Sequence, residues 1–110
     1  MEINTRHFEG WVIFDILGDV DLANSPALRK ALLAEIKEKH AKKVFLNLTG
    51  VRYIDSSGIA TLVEGLKASR DNGARLILYG LNPSVREVME LSRLQRIFEI
   101  YDSEEKALAS

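Results

Sequence analysis

Cysteine is absent from this sequence of 110 residues, which contains only two histidines and two prolines. Without cysteine the chain can form neither a disulfide nor a thiolate metal site, and two distant histidines do not predict a zinc site. The scarcity of proline, with 46% hydrophobic and 28% charged residues, is typical of a folded protein. The sequence therefore predicts a domain stabilised by core packing alone, with no metal and no other cofactor.

Charge of one sign is not in excess either. Fifteen Lys and Arg residues face sixteen Asp and Glu residues, which leaves a net charge of -1. Binding to a nucleic-acid duplex or to an anionic membrane relies on a clear surplus of cations. The composition therefore argues against nucleic acid and against direct membrane contact as partners.

Long hydrophobic runs are also missing. No stretch approaches the roughly 18 apolar residues of a membrane span, and the segment 1–6 lacks the apolar core of a signal peptide. The length fits one domain with one core, since domains typically contain about 100–150 residues. We therefore expect a cytoplasmic protein in which residues 1–110 form a single domain.

Strand-like and helix-like patterns alternate along the chain. Runs rich in β-branched and aromatic residues predict strands. These runs lie at 3–8, 11–17, 44–48, 76–79 and 97–100. Apolar residues at helical spacing predict helices after residue 25, from about residue 59, after residue 82 and after residue 102. This order predicts an α/β fold in which a mixed, mostly parallel central sheet of about five strands is connected by about four helices.

Three of the predicted helices have recognisable start signals. Ser25 and Asn82 each precede a proline, which predicts that their side chains cap the helices that follow. Asp102 and Glu105 have the spacing of a capping box and predict the start of a short final helix.

One junction between strand and helix differs from the others, because Asp55, Ser56, Ser57 and Gly58 gather there before Ile59. On structural grounds alone, oxygens are favoured at a helix N-terminus, where backbone N–H groups lack partners. The functional hypothesis is that one serine hydroxyl is exposed and accepts a phosphoryl group, whose charge the helix dipole tolerates. The residue pattern by itself leaves both interpretations open.

Other chemistries lack the residues that they need. A serine hydrolase needs a base near its nucleophile, whereas His7 and His40 fall in or near the first strand and at the end of the first helix. No glycine-rich phosphate-binding motif is present. Asp15, Asp19 and Asp21 do not predict a magnesium site, because alternate residues of a strand point to opposite faces. We therefore expect a protein that is not an enzyme.

Several segments, taken together, resemble the signature of the STAS domain. Residues 44–48 followed by 51–59 carry the main resemblance, and 17–21 resembles the family's G-[ED]-[LIV]-D segment. Residues 73–78, 83–85 and 91–94 match its later strand and helix. The resemblance covers nearly the whole chain and implies the STAS fold.

The resemblance also implies a function, that of the bacterial anti-sigma factor antagonists. In that group the serine after the motif aspartate, here Ser56, is phosphorylated by a kinase that is also the anti-sigma factor. The unphosphorylated antagonist binds this kinase, phosphorylation ends the binding, and a serine phosphatase restores it. By the same resemblance Asp21, Asp55, Ser57 and Gly58 shape the partner-binding surface.

The chain departs from the commonest pattern after Gly58, where many antagonists have G-L-G and this chain has Ile59 and Ala60. Free-standing STAS proteins also serve as accessory subunits of lipid-transport ABC systems, in which they bind the ATPase subunit without a phosphorylation cycle. The resemblance therefore leaves a transporter subunit as the alternative to the phosphorylated switch.

Overall fold

The five strands of the chain form one sheet, in which their spatial order is the same as their order in the sequence. The computed structural model describes residues 1–110. Its elements are β1 (Glu2–Phe8), β2 (Trp11–Val20), α1 (Ser25–Leu33), β3 (Lys43–Ile54), α2 (Ser56–Asp71), β4 (Arg75–Tyr79), α3 (Pro83–Leu91), β5 (Glu99–Tyr101) and α4 (Glu104–Leu108). A π-helical turn, Ala34–Glu38, continues α1, and a 3₁₀ turn, Leu94–Arg96, precedes β5.

The sheet is mixed and mostly parallel, as the sequence predicts. β1 pairs antiparallel with β2, whereas β2 with β3, β3 with β4, and β4 with β5 pair in parallel. Each parallel connection contains one helix, and right-handed crossovers place α1, α2 and α3 on the same face of the sheet. The predicted α/β class, with five strands and four helices, is confirmed.

The hydrophobic core lies mainly between the sheet and these three helices. β2 contributes Val12, Phe14 and Ile16 to this face, and all three are almost fully buried. The opposite face carries Ile13, Phe45, Ile77 and Tyr79, which pack with Ala107 of α4. Burial on both faces explains why β2 reads as a nearly continuous apolar run. Each such side chain contributes on the order of 1.5–3 kcal/mol to stability.

The predicted start of α1 is wrong by one residue. Ser25 is the first residue of α1 and the capping position is Asn24, whose side chain makes no capping hydrogen bond. The Ser25 hydroxyl instead donates a hydrogen bond to the backbone carbonyl of Asp21, and the Ser25 N–H donates to the same oxygen at 2.8 Å. The turn after β2 therefore fixes this helix start.

Of the other two predicted caps, one is confirmed and one is wrong. The Asn82 side chain accepts a hydrogen bond from the N–H of Val85 at 2.9 Å, as the Asn-Pro pair predicts. The capping box of Asp102 and Glu105 does not form, because the next residue, Ser103, is the N-cap and accepts from the N–H of Lys106. Ser103 is equally able to cap, and the end of β5 selects it.

β3 and α2 are both longer than their sequence patterns predict. β3 extends to Ile54 because β2 continues beside it, with Gly18 opposite Val51 and Val20 opposite Ile54 across two register shifts. α2 begins at Ser56 and not near Ile59. Only Asp55 therefore separates β3 from α2, and Ser56 lies inside the first turn of the helix.

Candidate functional site

The Asp-Ser-Ser-Gly segment lies at the edge of the sheet where the parallel strands end. β2 and β3 run side by side to Val20 and Ile54. The turn from β2 to α1 and the junction from β3 to α2 therefore lie next to each other. Loops at the carboxyl ends of parallel strands commonly carry function in open α/β sheets.

Asp55 joins these two loops through its carboxylate. One oxygen accepts a hydrogen bond from the N–H of Gly58 at 3.0 Å, which makes Asp55 the N-cap of α2. The other oxygen accepts from the N–H of Leu22 at 3.0 Å, in the turn after β2. The Asp55 N–H donates to the carbonyl of Val20 at 3.3 Å. Asp55 therefore positions the loop, and both its carboxylate oxygens are used within the chain.

Gly58 allows the first turn of α2 to lie directly against the end of β2. A Cβ atom at this position would overlap the carbonyl oxygen of Val20 and would lie 2.6 Å from Cγ1 of Ile54. Backbone and a buried side chain cannot move far enough to accommodate it. Position 58 therefore requires glycine because the helix packs so closely against β2, and any larger residue would displace Ser56.

Ser56 is the first residue of α2 and is exposed. Its hydroxyl makes no hydrogen bond within the chain, because Asp55 supplies the cap. Ser57 is half-buried. The unpaired N–H groups of the first turn give this helix end a partial positive charge, which favours an anion at Ser56. The arrangement offers one hydroxyl that is accessible, uncommitted and placed where a phosphate is tolerated.

Asp21 lies in the neighbouring loop, three residues before the N-cap of α1, and its side chain is half-buried. Its Oδ1 accepts a hydrogen bond from the N–H of Asn24 at 3.0 Å, and its carbonyl accepts from Ser25. The hydrogen bond between Leu22 and Asp55 links the residue after Asp21 to the residue before Ser56. The structure thus brings together all five residues that the resemblance marks, on two adjoining loops.

Acidic groups predominate over basic ones at this edge. Asp19, Asp21 and Asp55 lie on these two segments, and Nε of Arg52 lies 3.9 Å from Oδ1 of Asp19. The Arg52 side chain is 82% exposed, so this ion pair is loose and contributes little. A phosphate on Ser56 would add further negative charge to an edge that is already acidic.

The sequence interpretation did not single out Leu22 and Tyr53, which are large, apolar and exposed beside Ser56. Leu22 is 73% exposed and Tyr53 is 53% exposed. Leu22 stands alone in a polar turn, where a surface residue would ordinarily be polar. That isolated leucine between Asp21 and Asn24 is the signal by which it could have been found.

A second polar cluster lies on the α4 face of the sheet. Arg6 donates two hydrogen bonds to the Asp15 carboxylate at 2.7 and 2.8 Å and one to Glu104 of α4 at 2.5 Å. The buried Tyr79 hydroxyl donates to the same Glu104 oxygen at 2.6 Å, and Asn47 donates to Asp15 at 2.7 Å. These five groups connect four strands to α4, so the cluster fixes the terminal helix.

The ionisation of this cluster follows from its contacts. Burial raises the pKa of Asp15, but hydrogen bonds from Arg6 and Asn47 outweigh it and the pKa is lowered. Hydrogen bonds from Arg6 and Tyr79 lower the pKa of Glu104. Burial and the hydrogen bond to Glu104 raise the pKa of Tyr79. The carboxylates therefore stay charged and the phenol stays neutral near pH 7.

No catalytic constellation accompanies Ser56. His7 pairs with Val12 at the start of β2, and His40 precedes the start of β3, so both histidines lie at the opposite end of the sheet. His7 Nε2 lies 2.6 Å from Oε1 of the buried Glu35. No group of three His, Asp or Glu side chains is placed to hold a metal ion. No helix has the length and apolar character needed to cross a bilayer.

Comparison with known proteins gives consistent results. The family model of the STAS domain matches residues 2–107. The proposed anti-sigma factor antagonist BtrV of Bordetella bronchiseptica is 33% identical and covers 100% of this chain and 94% of its own length. The anti-sigma-B factor antagonist of Listeria monocytogenes is 30% identical, over 94% of this chain and 90% of that protein. The crystal structure of a proposed anti-sigma factor antagonist from Thermotoga maritima has a TM-score of 0.91 at 28% identity, over 97% of this chain and 92% of that one.

Proposed function

Because this chain belongs to the STAS domain family and has anti-sigma factor antagonists among its relatives, we propose that residues 1–110 act as a single-domain, cytoplasmic antagonist of an anti-sigma factor. In this proposal the protein is a ligand and a substrate, not a catalyst. The unphosphorylated form binds an anti-sigma factor that is also a serine kinase. Phosphorylation of Ser56 ends the binding, and a serine phosphatase restores it.

The observation that supports the proposal best is the state of the Ser56 hydroxyl. It is exposed at the first position of α2, and the helix is capped by Asp55 and not by Ser56. A kinase could therefore reach it without unfolding the helix. In the reaction the Ser56 oxygen bonds to the γ-phosphorus of ATP, the bond from that phosphorus to the β-phosphate oxygen breaks, ADP leaves, and the hydroxyl proton passes to a base of the kinase.

The proposed switch acts at the surface and not through refolding. A phosphate adds about −1.5 to −2 charges at pH 7, and the dipole of α2 tolerates an anion at this end. The partner would then have to dehydrate this group beside Asp21 and Asp55. Removing an ion from water costs several kcal/mol even after relaxation, which exceeds the roughly 1 kcal/mol of a typical surface ion pair. Phosphorylation therefore favours release.

Intact-mass spectrometry tests the proposal. The protein is incubated with ATP, Mg²⁺ and the purified ATPase encoded nearest to its gene, beside Ser56→Ala and Ser57→Ala variants. Ser57→Ala is a matched control, because it removes the neighbouring hydroxyl from the same helix turn. We expect one phosphoryl group on the wild type and on Ser57→Ala, and none on Ser56→Ala.

Two other outcomes would contradict the proposal. A phosphoryl group that persists in Ser56→Ala would place the modification elsewhere. Stable binding to that ATPase with no phosphoryl transfer would favour the accessory subunit of a lipid-transport ABC system. In that case Ser56→Asp should leave the binding unchanged, whereas the switch requires it to weaken.

A further inference from the structure

Two exposed apolar side chains flank the proposed phosphorylation site. Six large hydrophobic residues of the chain are exposed, and two of them, Leu22 in the turn after β2 and Tyr53 near the end of β3, lie on the segments that Asp55 joins. Tyr53 precedes Ser56 by three residues, and the N–H of Leu22 is bonded to the residue before Ser56. A kinase that reaches the Ser56 hydroxyl therefore approaches the two segments that carry these side chains.

The carboxylates of Asp21 and Asp55 already hold hydrogen bonds within the chain. Both carboxylate oxygens of Asp55 accept backbone N–H groups, and the Asp21 carboxylate accepts the N–H of Asn24. Besides these carboxylates and the loosely paired Arg52, the exposed side chains on the two joined segments include the large apolar surfaces of Leu22 and Tyr53.

The backbone of both residues is held in place by contacts within the chain. The hydrogen bond to Asp55 holds the backbone of Leu22. Tyr53 lies in β3 between the buried residues Val51 and Ile54. Apolar residues on a rigid backbone lose little conformational entropy on binding, which is the property of the few residues that dominate an interface.

We propose that Leu22 and Tyr53 are the apolar anchors by which this chain binds the serine kinase, each entering an apolar pocket of that protein. This inference rests on the proposed function and adds the residues that supply its affinity. It also specifies why a phosphate at Ser56 releases the partner, since the phosphate would be dehydrated on a surface whose apolar contacts form only when water is excluded.

The test is a titration of the ATPase encoded nearest to the gene, loaded with a non-hydrolysable ATP analogue, by isothermal calorimetry. The variants are Leu22→Ala and Tyr53→Ala. Leu91→Ala and Phe8→Ala are matched controls, because Leu91 is 78% and Phe8 is 53% exposed. Leu91 ends α3 and Phe8 ends β1, both toward the end of the sheet opposite to Ser56. Circular dichroism verifies that each variant is folded.

We expect the Kd to rise by about tenfold or more in each anchor variant and to change by less than about threefold in each control. Leu22→Met should restore most of the affinity, because it keeps the apolar volume. An unchanged Kd in both anchor variants, or equal losses in anchors and controls, would overturn the anchor proposal. If the wild type is still phosphorylated at Ser56, the proposed function survives that result. A wild type that neither binds nor is phosphorylated overturns both.

Discussion

Asp55 and Leu22 are 33 residues apart in the chain, yet a carboxylate oxygen of Asp55 accepts a hydrogen bond from the backbone N–H of Leu22 at 3.0 Å. The same side chain caps α2 through Gly58. One carboxylate thus sets the relative position of the turn that contains Asp21 and the helix start that contains Ser56. The role of Asp55 is to position the loop, in addition to any contact with a partner.

Replacing Asp55 with Ala should therefore destabilise the fold as well as the site. Loss of an N-cap costs about 0.5–2 kcal/mol, and the Leu22 hydrogen bond adds about 0.5–1.5 kcal/mol. We expect the free energy of unfolding, measured by urea titration, to fall by about 1–3 kcal/mol. Asp55→Asn should lose less, because it retains one acceptor oxygen. The control is Ser103→Ala, which removes one long cap hydrogen bond from α4. Equal effects of Asp55→Ala and Ser103→Ala would contradict the bridging role.

Gly58→Ala should be more damaging than a glycine substitution elsewhere in the same helix. At position 58 the new methyl group overlaps the backbone carbonyl of Val20, whereas at Gly65 it meets only side-chain atoms, chiefly a terminal methyl of the buried Leu32, which a rotamer change can shift. Overpacking typically costs about 1–3 kcal/mol, and helix propensity returns at most about 1 kcal/mol. We expect the thermal midpoint to fall further for Gly58→Ala than for Gly65→Ala. The reverse order would show that the backbone at the end of β2 can move enough to accommodate the methyl group.

The fold could be predicted from the sequence because its signals are local. Apolar periodicity and the Asn82 cap depend on residues within one or two turns, and both are confirmed. The starts of α1 and α4 were wrong because two adjacent residues could cap each helix, Asn24 or Ser25 and Asp102 or Ser103. The choice between them depends on where the preceding strand ends. β3 extends to Ile54 for a related reason, since pairing with β2 decides its length and the run Val51–Ile54 does not.

The site was predictable in its residues but not in its contacts. Ser56 and its neighbours lie on one short segment, whose resemblance to a family marks them. The bond from Asp55 to Leu22 joins two loops that only the parallel pairing of β2 with β3 brings together. The cluster around Arg6 is even harder to predict from the sequence, because Arg6 and Glu104 are 98 residues apart. Such pairings depend on the completed sheet and leave no pattern in either segment.

Ser56→Ala should leave stability almost unchanged. The cap of α2 is the Asp55 side chain, and the Ser56 hydroxyl makes no hydrogen bond in the chain. Alanine also has a slightly better helix propensity than serine. We expect the free energy of unfolding to remain within about 0.5 kcal/mol of the wild type, as is usual for surface substitutions. A loss near the 0.5–2 kcal/mol of a capping serine would mean that Ser56 shares the cap with Asp55.

The Arg6 cluster predicts how stability depends on acid. Asp15 and Glu104 both have a folded pKa below the unfolded values of about 3.9 and 4.3, so the unfolded chain binds protons first as the pH falls. The stabilisation is therefore complete above about pH 5 and is lost as the pH falls through the folded pKa values. Urea titrations between about pH 3 and pH 7 should show this loss in the wild type.

Arg6→Ala tests the source of that dependence. It should lower stability near pH 7 by on the order of 2 kcal/mol, because charged hydrogen bonds to Asp15 and Glu104 are lost. It should also flatten the decline toward pH 3, since burial still raises the pKa of Asp15 and only the hydrogen bond from Asn47 then opposes it. The control is Arg29→Ala, which removes an exposed ion pair with Glu64 and should change the profile less. If both variants flatten the decline equally, the acid response comes from surface charge in general, and the cluster beneath α4 has no special part in it.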